Sequence, residues 1–370
     1  MGVENIYIEI DKEEATDLYK DLVNLEVVLE EDKAGRFSLM VPIYLKSDGK
    51  WAYLDDEKYS VWKPIAIKAG FEGSLEELIT GYITRITPCF QPDPSQCVLE
   101  IRGMDKSVLL SLEEKIKTWP NKKDSDIARE ILDKYKEFNL TPVVEETSVP
   151  YKESIATITQ RESDINFLRR LARRNNFECY LEGDTVYFCE PRMEGESQGI
   201  LSCQFGGETN VECFSFEVNA LAPTQVAMTQ VDRVKKDVME IPEVTGMQKA
   251  LGAIDANGFS TDGIPPAKIY LDMPPQVECS QGEKGCRRAY QKGQCFLTAE
   301  GTIDGNRFGH VLKARKIVTV KGVGANYSGE YYVTQVTHSF TPEGYIQHFK
   351  VKRNALKVTG SEDFSGPGEE

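Results

Sequence analysis

Apolar and polar residues alternate at both ends of the chain, and this period of two constrains the fold more than any other feature. Ile6, Ile8 and Ile10 open the pattern, followed by Leu25, Val27 and Leu29 and then Phe37, Leu39 and Val41. Ile65, Ile67, GYITRI (81–86) and CVLEIRG (97–103) continue it between the turn-forming SDGK, GFEG and QPDPS. Successive side chains of a strand point to opposite faces, so such runs bury one face each. The N-terminal region therefore reads as an antiparallel β domain. The same period returns after Ile200 in LSCQFGG, VECFSFEVNA and TQVAMTQV, and later in FLTAEGT, KIVTVKGVG, GEYYVTQVTHSF and GYIQHFKVKRN. The two β regions are compatible with two diverged copies of one architecture.

Between them the period changes. From Lys106 to Lys136 the apolar spacing is helical, with Asp124 or Ser125 as N-cap before Ile127, Ala128, Ile131 and Tyr135. SVPYKESIATITQ reads as extended. In SDINFLRRLARRNNFECYLEGDTVYF (163–188), Ser163 is placed to cap a helix and Asp164 to meet its positive end. Ile165, Leu168, Leu171 and Ala172 form one apolar stripe, and Arg169, Arg170, Arg173 and Arg174 lie on the other side. Asn175 and Asn176 suit the left-handed conformation that ends the helix, and a hairpin around Gly183 follows. A polar region with glycine and proline, 240–280, and a helix from Lys284 to Leu297 interrupt the second β region.

Four arginines in two helical turns fit a phosphate or an acidic neighbour, but they also fit a solvated face whose long stems cover apolar surface. The net charge of -15 bears on that choice. A phosphate backbone would be repelled by such a chain, so nucleic acid is not expected as a specific ligand and an ion pair between subunits or domains is preferred. The 370 residues exceed one ordinary core and suggest two or three domains. No basic region followed by an apolar run opens the chain, and no stretch has the length of a membrane helix, so neither export by a signal peptide nor membrane insertion is expected.

The nine cysteines read as reduced, core-filling thiols of a protein made in the cytoplasm. Cys279, Cys286 and Cys295 lack the C-x-x-C spacing of zinc sites, so no metal is expected. KGVGANYSGEYYV lies between strands, where a hairpin loop explains its glycines better than a phosphate cradle does. His338 alternates with Val336 and Phe340 and reads as a packed strand residue. No catalytic residue and no cofactor site is assigned.

The runs WPNKKDSDIAREIL (119–132) and RESDINFLRRLARRNNFECYLEGDTVYF (161–188) resemble the phage late control gene D family, which includes the hub portion of VgrG proteins. KGVGANYSGEYYVTQVTHSF (321–340) and YIQHFKVKRN (345–354) resemble its closing strands. The resemblance implies a mainly β fold with an α+β insertion, built as two antiparallel, tube-like β-barrels plus αβ insertion domains. By this analogy residues 1–105 form the first barrel and 106–195 the αβ insertion. The second barrel combines 196–240 with 296–355, around an insertion segment 241–295, and 356–370 is a flexible tail.

The resemblance also implies a non-enzymatic role: the baseplate hub of a contractile injection system or phage-like tail, a homotrimer adapting a six-fold inner tube to a three-fold spike. Its partners would be the inner tube protein, a separate spike protein, other baseplate components and translocated cargo, within a virion or extracellular particle. The four arginines are then candidates for intersubunit or interdomain contacts. Many VgrG chains continue into a further barrel and a spike, whereas this sequence stops soon after Asn354, so the spike is expected as a separate protein. Two alternatives from other classes are a cell-wall or glycan hydrolase using paired carboxylates and a monomeric carbohydrate-binding β module.

Overall fold

The computed structural model describes residues 4–71, 73–148, 153, 157–222, 224–231, 236–241, 248–259, 267–271, 279–362 and 364. The N-terminal strands are β1 (Glu4–Ile10), β2 (Asn24–Glu30), β3 (Arg36–Pro42), β4 (Pro64–Phe71), β5 (Ser74–Cys89) and β6 (Val98–Asp105). They pair antiparallel in the order β2-β3-β6-β5-β4-β1. Their alternation turns Ile8, Leu25, Val27, Phe37, Leu39, Ile67, Leu99 and Ile101 into one core. The outer edge of β1 is satisfied without a full ladder: Ala15 N donates to Ile8 O (2.9 Å) and Ile8 N donates to Tyr19 Oη (3.0 Å).

The αβ region follows with β7 (Glu114–Trp119), α1 (Asp124–Leu132), β8 (Thr141–Val144), β9 (Ile158–Ser163), α2 (Asp164–Arg174), β10 (Glu178–Glu182) and β11 (Thr185–Cys189). β7 pairs with β9, while β8 runs parallel to β11, which pairs antiparallel with β10. Trp119, Ile127, Ile131, Leu168 and Phe188 belong to its separate core. The helical spacing read from Lys106 to Lys136 is interrupted. Glu114–Trp119 is a strand, because its one-sided alternation lets β9 pair with it, and the cap residue of α1 is Lys123, with Asp124 and Ser125 already inside the helix. Of the extended reading for SVPYKESIATITQ, residues 149–152 and 154–156 lie outside the described residues.

β12 (Ser197–Ser202) and β13 (Val211–Val218) return to the large sheet. β14 (Thr224–Val231) and β15 (Val238–Ile241), expected in the second barrel, instead pair with each other, and β14 also pairs in parallel with β16 (Ala267–Tyr270). Val226, Met228 and Ile241 pack there against Cys286 and Tyr290 of α3 (Cys279–Gln294), a fourth small core with its own apolar closure. That helix begins and ends earlier than the expected Lys284–Leu297, since Leu297 opens a strand. β17 (Leu297–Asp304), β18 (Ile317–Lys321), β19 (Gly329–Thr341) and β20 (Gly344–Arg353) complete the large sheet.

Around the second core the order is β12-β18-β19-β20-β17-β13. β12 runs parallel to β18, so the second barrel is not purely antiparallel. Asn210 draws β13 back toward β12: its Oδ1 accepts from Ser202 N (2.8 Å), its Nδ2 donates to Ile200 O (2.9 Å) and its backbone N donates to Ser202 O (3.2 Å). A shared device recurs in the two barrels. Gly103 lies opposite Phe37 and Gly301 opposite Phe349, and a Cβ at either glycine would stand 2.3 or 2.7 Å from the facing ring.

The two barrels share one sheet. Val320–Ile317 of β18 pair with Gly329–Tyr332 at the start of β19, whereas Gln335–Phe340 of the same strand pair with Glu30–Leu25 of β2. Phe340 and Tyr345, at the tip of the β19–β20 hairpin, are buried in the first core, while Val333, Val336 and Phe349 lie in the second. His338 is fully buried in this strand, its Nδ1 2.8 Å from Tyr345 Oη, and burial pushes its imidazole down to about 3, so it stays neutral. Of the expected flexible tail, 356–362 and 364 are described. Leu356 pairs with Ile254, and Glu362 accepts from Thr359 N and Gly360 N, so this part is tied down; residues 363 and 365–370 lie outside the described residues.

Asn210→Ala should remove the side-chain closure of the second barrel and lower stability by about 1–3 kcal/mol. Urea unfolding would check this, with unchanged stability contradicting a seam held by Asn210.

Candidate interaction site around the arginine helix

Helix α2 is amphipathic, and its two faces have different tasks. Ile165, Leu168, Leu171 and Ala172 are buried in the αβ core beside Phe167. Ser163 stands at the cap position without a capping bond, and its Oγ has no partner among the described residues. The buried carboxylate at the helix start is Asp164, which accepts from Lys115 Nζ (2.6 Å), Gln160 Nε2 (2.7 Å) and Tyr135 Oη (2.8 Å). Burial raises its pKa, yet these donors hold it below the usual carboxylate value. At the other end Asn176 takes the left-handed conformation, φ +60°.

The four arginines separate into four environments. Arg174 holds the carboxylate of Asp124 through both Nε (2.7 Å) and Nη2, and Asn175 Nδ2 donates to the same carboxylate. Arg170 turns back along the sheet, donating Nε to Glu162 (2.6 Å) and Nη2 to Thr159 O (2.8 Å). Arg169 points inward, with its Nε buried and unpartnered among the described residues. Its charge partly offsets the burial that raises Asp105, at the end of β6, whose carboxylate also accepts from Ser107 N and Gly35 N. Arg173 is exposed, and its guanidinium has no partner among the described residues.

Asp124 is the centre of this arrangement, and reading it as a helix cap missed that role. Its side chain is almost fully buried, which is tolerable for a carboxylate only with charge and donors around it. Lys284 of α3 approaches from the other side and donates to Asn175 Oδ1 (3.3 Å). Burial lowers the pKa of Lys284, and the charge of Asp124 opposes that fall. Two further bonds seat α3 on the end of α2: Arg288 Nη1 to Phe177 O (3.0 Å) and Asn176 Nδ2 to Gln291 Oε1 (2.8 Å). One polar network thus joins α1, α2 and α3 across long sequence separations. The repeated Asn175-Asn176 was the local signal; Asp124 and Lys284 carried none.

Among the described residues, no group of three His, Cys, Asp or Glu is arranged to hold a metal ion, and no helix is long and apolar enough to cross a membrane. Cys286 is fully buried and Cys295 half-buried, whereas the side chain of Cys279 lies outside the described residues.

Arg174→Met should leave Asp124 buried without its main cation and destabilise the protein by about 3 kcal/mol. Arg173→Glu should change monomer stability by less than about 0.5 kcal/mol. Thermal or urea unfolding of both variants checks this contrast, and equal effects would contradict the assignment of one arginine inward and one outward.

Comparison with solved structures gives full-length likenesses of fold. The 43 kDa tail protein of prophage MuSo2 from Shewanella oneidensis aligns with a TM-score of 0.68 at 17% identity, over 96% of this chain and 100% of that one. A tail protein from Neisseria meningitidis MC58 aligns with a TM-score of 0.62 at 13% identity, over 96% and 98%. An E. coli component of the type VI secretion system, described as similar to the T4 bacteriophage tail proteins gp27 and gp5, aligns with a TM-score of 0.55 at 12% identity, over 90% and 73%. No curated protein matches. A family model described as the Alg8 N-terminal domain matches residues 6–342, and the chain accordingly belongs to the Alg8 N-terminal domain family.

Proposed function

We propose that the chain is a structural baseplate hub of late control gene D type, acting in a phage-like tail or contractile injection particle. The observation that carries this reading is the continuous sheet through both barrels, in a fold that aligns along its whole length with tail proteins. A hub must pass load from a tube to a spike without shearing. Paired strands resist such shear because displacement along the strands breaks several hydrogen bonds together.

In this proposal residues 1–105 and the strands within 196–222 and 296–355 are the two tube-like units. Residues 106–195 and the unit containing β14, β15, β16 and α3 are outer insertions braced by the Asp124 network. Three copies would present six similar units to an inner tube and a three-fold opening to a spike. Exposed Arg173 is the helix arginine left to meet an acidic neighbour, since Arg170 and Arg174 are committed within the αβ region and Arg169 faces inward. The role is mechanical, with other baseplate components and cargo as further partners.

Native mass measurement of the purified full chain, alone and with a candidate spike protein, tests the reading together with a peptidoglycan-clearing assay. A trimer that binds the spike and leaves peptidoglycan intact is expected, and Arg173→Glu should weaken trimer formation without unfolding the monomer. A persistent monomer that clears peptidoglycan would favour the hydrolase reading instead.

A further inference from the structure

Three parts of the chain meet at Glu178, the first residue of β10. Glu31 and Asp32 arrive from the end of β2 in the first barrel. Lys352 of β20, Tyr332 of β19 and Arg315, just before β18, arrive from the second. Cys189 of β11 lies opposite Glu178 in the hairpin, and Tyr180 follows two residues later on the same face. Beside these groups is a cavity of about 280 Å³ lined by Glu178, Tyr180, Cys189, Arg315 and Tyr332 and by the charged Glu145, Glu190, Arg192 and Glu194, of which Arg192 is paired with Glu145 (2.6 Å).

The cations at this seam are already engaged. Lys352 Nζ donates to both oxygens of Glu31 (2.7 and 2.9 Å). Arg315 donates Nε to Glu31 O (3.3 Å) and Nη2 to the carbonyls of Glu30 and Glu31, and its guanidinium lies 4.1 Å from the centre of the Tyr180 ring. Arg315 holds this position with a left-handed backbone, φ +65°. Glu178 makes no side-chain hydrogen bond among the described residues, and the negative charges of Glu31 and Asp32 act on it.

We propose that Glu178 is a protonation latch: with its carboxyl neutral the αβ region docks firmly on both barrels, and with its carboxyl ionised the seam loosens. Burial first, then the charge of Glu31, pushes the acid up to about 7, against the opposing pull of Lys352 and Arg315. Burial also raises Tyr180, Tyr332 and Cys189, so these neighbours stay neutral across the same range. The docked form holds a proton that an undocked glutamate releases near pH 4.5. Docking is therefore strongest at low pH, weakens as pH rises from about 4.5 to 7, and levels off above 7.

Hydrogen exchange of the full chain, corrected for intrinsic rates, tests the latch. Protection of the amides in 178–182 and 185–189 should fall about tenfold per pH unit between pH 5 and 7, then level. Amides in β4 serve as the reference and should not follow. Glu178→Gln should abolish the slope and keep the low-pH protection, and Asp32→Asn should move the levelling point to lower pH. A flat wild-type profile, an unchanged slope in Glu178→Gln or an equal fall in β4 would overturn the proposal. Should Glu178→Gln fail to fold, Asp32→Asn decides alone: an unmoved levelling point overturns it.

Discussion

The antiparallel pairing of Glu30–Leu25 with Gln335–Phe340 is the contact on which the rest of the molecule depends. Each backbone bond contributes only about 0.5–1.5 kcal/mol net, but the pairing is reinforced on both sides by buried side chains. Phe340 and Tyr345 anchor the β19–β20 hairpin in the first core, while Val333, Val336 and Phe349 anchor the same hairpin in the second. Tilting one barrel against the other would therefore pull aromatic rings out of a packed interior. The register shift at Val333/Gln335 marks where β19 leaves β18 and takes β2 as its neighbour.

Parts outside the barrels are held in addition by polar networks. Asp124 collects Arg174 and Asn175 and lies near Lys284, bringing α3 to the αβ region although the chain between them runs through half of the second barrel. Arg353, fully buried, donates to the carbonyls of Leu251, Tyr327, Ser328 and Lys357, fixing the segments before and after the last strand. Buried charges of this kind are costly unless their hydrogen bonds are complete, so each network sets one geometry and penalises alternatives.

The period-two runs around Ile8, Leu39, Ile67 and Ile101 revealed the mainly β architecture, because one-sided burial writes itself directly into alternation. The stripe Ile165, Leu168, Leu171 and Ala172 was legible for the same reason at helical period. Strand partners were not legible. β14 alternates as well as any barrel strand, yet it pairs with β15 and β16, since its choice depends on a core completed by Cys286 and Tyr290 from α3. Glu114–Trp119 was hidden among helical spacings because its partner, Ile158–Ser163, lies far along the chain. The fates of Arg174, Arg169 and Arg170 depended on Asp124, Asp105 and Glu162, the first two of which only the tertiary arrangement brings near.

A body whose two barrels share one sheet should unfold as one unit. Hydrogen exchange in rising urea, followed on peptides from Pro64–Phe71 in the first barrel and Ile317–Lys321 in the second, measures this directly. Joint loss of protection, with one opening free energy and one midpoint, is the result expected of a single shared sheet. Two separate transitions, with either barrel opening while the other stays closed, would contradict it.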